Sequence, residues 1–375
     1  MFKKWLFSMM LGCSASLYAI PAYTAETGFS RPQASLAQPA KPLPTKKLVT
    51  LAESGDSNAQ FSLAMAYYYG RDIPKDYEKA AYWAQKASEK GLSDAQYALG
   101  TLYYHGKGVT RDYGKAVHWY QMAANQKNAK AQYALGTMYG YGEGISQDYR
   151  KAADLFRIAA EQGNADAQHA LGIMYDWGKG VSQNDEKAVY WYRKAAEQGN
   201  APGEYNLGLM YIRGEGISRD PQKAFDLFRR AAEHGLAEAQ YSLGVMFSDG
   251  FGTTRNQKSA ADWYQKAAAQ GHALAQNALA IMYMEGNSLP RDDRKAFDLF
   301  RNAARKRIPE AQANLGLMYA RGQGTQKNYL YAYVLANHAA KSIQDAGKLR
   351  NELEKIMTHE ELARTQVITV EDILR

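Results

Sequence analysis

Seven histidines, one cysteine and thirty-eight carboxylates are the side chains on which a catalytic or metal-binding reading of this 375-residue sequence has to rest. His105, His118, His169, His234, His272, His338 and His359 are scattered, with no H-E-x-x-H spacing and no paired ligands. A single thiol, Cys13, builds neither an internal disulfide nor a thiolate cage. No two carboxylates are set by pattern as a general acid and base. The thirty-two glycines invite a phosphate loop, but no G-x-x-x-x-G-K-[ST] segment occurs, and the G-x-G pairs close helices where a dinucleotide fingerprint would open them. These residues predict no catalytic group, no metal and no cofactor.

Another row of residues suits binding. At intervals of 36 the sequence reads Tyr69, His105, Tyr141, Trp177, Arg213, Asp249, Glu285 and Arg321. The position just before contributes Tyr68, Tyr104 and Asp176. Aromatics and Arg join a large contact area to a polar tip, the usual chemistry of anchors in protein interfaces. These eleven residues are taken as the candidate protein-binding face. The competing reading, that Tyr69, Tyr141 and Trp177 pack against the next repeat and that the charged members are solvated, stays open. A further aromatic position, Phe61, Tyr97, Tyr133, Tyr205 and Tyr241, is read as structural.

The spacing of 36 comes from the elements that carry the row. Ala-Gln recurs at Ala59-Gln60, Ala95-Gln96, Ala131-Gln132, Ala167-Gln168, Ala239-Gln240, Ala275-Gln276 and Ala311-Gln312, with Gly203-Glu204 as the degenerate fifth copy. Leu follows at Leu63 and its seven equivalents, then Tyr67 or its equivalents, so positions i, i+4 and i+8 mark one side of a helix. Each copy then reaches a glycine, from Gly70 to Gly322, as expected of a left-handed cap. A second helix is predicted to start at Asp76, Asp112, Asp148, Asn184, Asp220, Asn256, Asp292 or Asn328, whose side chains suit the N-cap. Mid-helix Gly100, Gly136, Gly172, Gly208, Gly244 and Gly316 are replaced by Ala64 and Ala280 in two copies. Smallness, and not an unusual φ, is therefore what that position requires.

A unit with A-x-x-x-L-G-x-x-Y, then G-x-G-[VI]-x-x-[DN], then K-A-x-x-W-[YF]-x-x-A-A resembles the Sel1-like repeat family. Ala131 to Ala160 illustrates the pattern, with Leu155 at the Trp position, and the resemblance covers about residues 48–342. Tetratricopeptide arrays are relatives, but their period is 34. Three copies depart from the pattern: Asp72 replaces the second glycine of the first, the fifth begins Pro202-Gly203, and the seventh carries Asn287-Ser288-Leu289-Pro290 in its loop. The resemblance implies an all-α fold, an alpha-alpha superhelix or solenoid of eight hairpins with the first helices lining its concave side. It also implies a non-enzymatic scaffold for a protein partner. Cysteine-rich members linked to β-lactams are a poor match, because their disulfide cysteines are missing here.

Outside the repeats, residues 1–25 read as a signal peptide: a basic start at Lys3 and Lys4, an apolar middle and a small-residue exit. Cys13 after Leu11-Gly12 loosely resembles a lipoprotein site, so a lipid anchor is the alternative to its loss with the leader. Residues 26–48, with four prolines, read as a flexible linker, 49–342 as the eight repeats and 343–375 as C-terminal capping helices. There, Leu349, Leu353, Ile356 and Met357 form an apolar stripe, and Thr358 to Glu361 has capping-box form. The net charge of +8 is concentrated at the start: the first fifty residues hold six Lys or Arg and one acid, which leaves 40 basic and 37 acidic residues elsewhere. That balance excludes a nucleic-acid reading, and no apolar run beyond the leader is long enough to span a bilayer. The expectation is an exported protein, secreted or at the bacterial surface or periplasm. By resemblance, exported members from intracellular pathogens bind host-cell proteins and act in cell entry or vacuole trafficking. The alternative is a periplasmic or outer-membrane scaffold for envelope or polysaccharide assembly.

Overall fold

Each first helix of the repeats ends, and each second helix begins, at a residue visible in the sequence pattern. The computed structural model describes Arg31 and residues 45–375, so the leader, Cys13 and most of the proline-rich segment lie outside the described residues. Among the described residues there are twenty helices and no strands. The first is α1 (Thr45–Glu53). Helix pairs follow: α2 (Ser57–Tyr69) with α3 (Tyr77–Glu89), α4 (Ser93–His105) with α5 (Tyr113–Asn125), α6 (Ala129–Tyr141) with α7 (Tyr149–Glu161), and α8 (Ala165–Trp177) with α9 (Asp185–Glu197). Then come α10 (Ala201–Arg213) with α11 (Pro221–Glu233), α12 (Ala237–Asp249) with α13 (Gln257–Ala269), α14 (Ala273–Glu285) with α15 (Asp293–Arg305), and α16 (Pro309–Arg321) with α17 (Tyr329–Ala339). The chain ends with α18 (Gln344–Glu354), α19 (His359–Thr365) and α20 (Val370–Leu374). This is the all-α solenoid architecture that the period implies. The described residues up to Met210, with Gly214–Ser218, form one compact unit; Tyr211–Arg213 with Arg219–Arg375 form a second.

The caps work as their residue types require. All eight first helices end on a glycine with φ between +64° and +74°, its N–H bonded to the carbonyl four residues back. The second helices open on the eight Asp or Asn side chains, each accepting from a backbone N–H in the first turn, as Asp76 does from Lys79 at 3.0 Å. The loop between is closed by one recurring bond, from Asp76 N–H to the Tyr67 carbonyl at 3.0 Å and likewise in the other copies.

Packing explains the small mid-helix residues. A Cβ on Gly100 would stand 2.7 Å from the ring of Tyr120, and one on Gly172 would stand 2.6 Å from Tyr192. Neither glycine has a positive φ. Large rings such as Tyr120, Phe156 and Tyr192 are thereby fully buried against the first helix, a contact that offsets the roughly 1 kcal/mol helix-propensity cost of glycine. The structural reading of the other aromatic position holds for its buried members: Tyr97 tilts on Tyr120 at 5.8 Å and Tyr133 on Phe156 at 5.6 Å.

Successive repeats are joined by a side chain whose role the Ala-Gln pattern did not disclose. Gln96 on α4 donates its Nε2 to the Ser88 carbonyl in the last turn of α3, at 3.2 Å, and accepts on Oε1 from Gln126 Nε2 at 2.8 Å. One amide thus ties three helices and gives a helix-end carbonyl, already bonded by the Gly91 N–H, a second donor. Gln168 does the same with Ala160 and Gln198, and Gln240 with Ala232 and Gln270. Gln60 bonds the Ala52 carbonyl of α1 at 3.1 Å, so α1 stands where the second helix of a preceding repeat would be. Its Leu48 and Ala52 are buried with Ala59 and Leu63. The helix therefore reaches into the segment expected to be linker.

At the other end, Leu349, Leu353, Met357, Val370, Ile373 and Leu374 are buried in one cluster with Leu335 and Ala336 of α17. Ile356 is not part of the stripe: it is 45% exposed, because α18 has ended at Glu354 and the chain has turned. Thr358 and Glu361 form the capping box, and Thr369 with Asp372 forms another.

Candidate protein-docking site

The candidate row sits at the C-terminal end of each first helix, where the glycine cap turns the chain away and exposes the last side chain. Within the first unit this brings Tyr69, His105, Tyr141 and Trp177 to equivalent places. Trp177 is 38% exposed, and the other three are half-buried. The second unit carries Arg213, Asp249 and Glu285 exposed and Arg321 half-buried. Burial pushes the Asp249 carboxyl up and the Arg321 guanidinium down.

The position one residue earlier faces inward. Tyr68 and Tyr104 are buried, at 4% and 5% exposure, and do not present their rings to a partner. Tyr68 meets Tyr77 edge-on at 5.3 Å, and Tyr104 lies 5.2 Å from Tyr113. A step of one residue turns a helix by about 100°, and that rotation carries this position onto the second helix. Asp176 is half-buried and accepts from the Tyr192 hydroxyl at 3.0 Å. These three residues shape the surface from below.

Four charged neighbours of the row carry no signal in the motif. Arg71, Lys107, Glu143 and Lys179 lie two residues past the row, inside the G-x-G loop that the sequence reading took only as a cap. Arg71 lies over Tyr69 and Lys179 over Trp177, each 4.9 Å from the ring centre. Lys107 instead reaches back to the previous repeat, with its Nζ 3.0 Å from the Tyr68 hydroxyl and 5.3 Å from the Tyr77 ring centre. Glu143 also reaches back, its Oε2 accepting from the Tyr104 hydroxyl at 2.7 Å. Burial, and then that bond to Glu143, raises the Tyr104 pKa far above the ordinary phenol value, so Tyr104 stays a donor. The 36-residue spacing of these charges was the signal that could have found them.

The histidines do not converge. His169 is buried, with Nε2 2.9 Å from Asn206 Nδ2, and His272 caps α14 through Nδ1 while stacked on Tyr241. Burial lowers their pKa values to about 3 and about 4. Among the described residues no three metal-ligating side chains cluster, and no helix is long and apolar enough to cross a membrane.

The second glycine of the loop has a role beyond its positive φ. Gly108 is packed directly on the backbone of Tyr77 in the preceding repeat, and Gly144, Gly180, Gly252 and Gly324 repeat the contact. Asp72 holds φ +57° in the first repeat, a conformation Asp tolerates better than most residues. Ser288 does not adopt positive φ, so the seventh loop runs differently.

The model of the Sel1 repeat matches residues 57–92, 93–128, 129–164, 165–200, 201–236, 237–272, 273–307 and 309–342. A Sel1 repeat protein from Oxalobacter formigenes is 31% identical, over 90% of this chain and 99% of that one, with a TM-score of 0.60. A protective antigen of uropathogenic Escherichia coli with an SLR fold is 28% identical, over 88% of this chain and 86% of that one, with a TM-score of 0.57. No curated protein matches the sequence. Eight successive matches, each coinciding with one of the helix pairs described above, place the chain in the Sel1 repeat family.

Proposed function

We propose that this chain is an exported, non-enzymatic scaffold that binds a protein partner across the Tyr69–Trp177 row, and that the partner is a host-cell protein engaged during cell entry or vacuole trafficking. Sel1-repeat proteins act as protein–protein interaction scaffolds. The observation that carries the reading is the exposed indole of Trp177 beneath Lys179, in register with Tyr69 beneath Arg71. Aromatic faces topped by cations offer area and charge together, as interface hot spots do. The leader-like N-terminus supports export, and the likeness to a bacterial protective antigen is consistent with a protein met by a host.

The test is capture of a partner by the mature chain from host-cell extract, followed by cross-linking to locate the contact. Tyr141→Ala with Trp177→Ala is expected to lower the affinity at least tenfold while helicity by circular dichroism is unchanged. Undiminished capture by this folded variant would remove the row from the interface. Protease access on intact bacteria separates a surface or secreted location from the periplasmic envelope scaffold.

A further inference from the structure

Arg31 belongs to the segment ahead of the helices, yet its guanidinium is seated on the row. It lies 4.9 Å from the centre of the Tyr141 ring, and its Nη2 is 3.2 Å from Glu143 Oε1. The neighbouring repeats show why a cation is found there. In the first and fourth repeats the basic loop residue two past the row covers its own aromatic, Arg71 on Tyr69 and Lys179 on Trp177, at the same 4.9 Å, whereas Lys107 of the second reaches back to Tyr68. In the third repeat that loop residue is Glu143, which turns to Tyr104 instead. Tyr141 then has an acid beside it, and its cation comes from another part of the chain.

We propose that Tyr141, Glu143 and Tyr104 form a receptor for an arginine side chain in an extended segment of the protein partner, with Arg31 as the resident that this arginine displaces. The proposal rests on the scaffold reading and names the partner chemistry at one point of the row. Each part has a separate task. The Tyr141 face takes the delocalised cation. Glu143, only 15% exposed, presents Oε1 to the guanidinium while Tyr104 holds Oε2 at 2.7 Å, which fixes the carboxylate plane. A planar guanidinium can stack and pair at once, whereas a lysine ammonium is a point charge. Arg31 itself stays 62% exposed, so it is held by few contacts and is displaceable. Being tethered, it competes through a high effective concentration.

The test uses the full chain and a labelled peptide of its own residues 27–35, Thr-Gly-Phe-Ser-Arg-Pro-Gln-Ala-Ser, followed by fluorescence anisotropy. The peptide is expected to bind the Arg31→Ala chain at least threefold more tightly than the native chain. Adding Glu143→Gln, which keeps an acceptor for Tyr104, should weaken it at least tenfold, and so should Arg-to-Lys replacement in the peptide. Equal affinity for native and Arg31→Ala chains, or indifference to Glu143→Gln, would overturn the proposal. In the native chain the Arg31 side-chain Nε–H resonance should shift on Glu143→Gln, and an unmoved resonance counts against occupancy. A partner captured equally well by native and Glu143→Gln chains would end this inference and leave the scaffold reading standing.

Discussion

Gly108 lies on the backbone carbonyl of Tyr77 with no room for a Cβ between them, so the loop of the second repeat is seated on the start of the second helix of the first. The same relationship joins Gly144 to Tyr113 and Gly180 to Tyr149. These contacts, with the glutamine clips, are the polar and backbone part of each junction, and they bear on stability in separable ways.

Gly108→Ala and Gly91→Ala should therefore differ, although both glycines have positive φ, +71° and +85°. Gly91 has nothing within 4 Å of a built Cβ, and Lys127 and Arg307 hold its equivalent place at φ +64° and +61°. Its replacement should cost about 1–2 kcal/mol. Gly108→Ala adds a backbone clash worth a further ~1–3 kcal/mol. Denaturant unfolding of the two variants checks the order; equal losses would mean that the loop does not rest on Tyr77.

Gly178→Val tests the cap alone. Gly178 closes α8 at φ +64°, a conformation that a β-branched residue resists. The loss is expected to be about 2 kcal/mol or more, with Gly178→Asn clearly milder because Asn enters that region more readily. Thermal melts of both variants give the comparison.

Gln96→Leu removes a donor from the Ser88 carbonyl and an acceptor from Gln126. Both partners keep one bond, Ser88 O from the Gly91 N–H at 2.9 Å and Gln126 Nε2 to the Gly91 carbonyl at 2.9 Å, so the cost is that of ordinary hydrogen bonds, about 0.5–1.5 kcal/mol each. Unfolding free energies should show that loss, and hydrogen exchange should speed up first in the last turn of α3.

His169 gives the first unit an acid-sensitive point. Burial depresses its pKa from 6.5 to about 3, so between those values the unfolded chain binds the extra proton. Its contribution is complete above about pH 6.5 and is lost as the pH falls towards 3, at about 1.4 kcal/mol per pH unit. His169→Tyr, the residue at the equivalent place in Tyr97 and Tyr133, should flatten the pH dependence of stability over pH 6.5–4. An unchanged slope would place the sensitivity elsewhere.

The repeat period, both helices, the glycine caps and the Asp or Asn starts were legible because each depends on a local rule tied to one residue type. The site was legible only in part. Trp177, Tyr69 and Tyr141 were singled out as candidates because aromatics at a constant spacing stand out. Tyr68 and Tyr104 were placed on the same face although one residue of helical rotation buries them. Glu143 and Lys107 were hidden because their loop looked purely structural, and their partners, Tyr104 and Tyr68, are 39 residues away. Ile356 joined the stripe on paper because the end of α18 at Glu354 carries no glycine signal.

The stand-in role of α1 has a consequence for how such a chain lengthens. Since Gln60 finds at Ala52 the same carbonyl that Gln96 finds at Ser88, the bond made at the start of the array matches one made inside it. A further 36-residue module placed beside α1 would therefore meet the bond it needs without new chemistry.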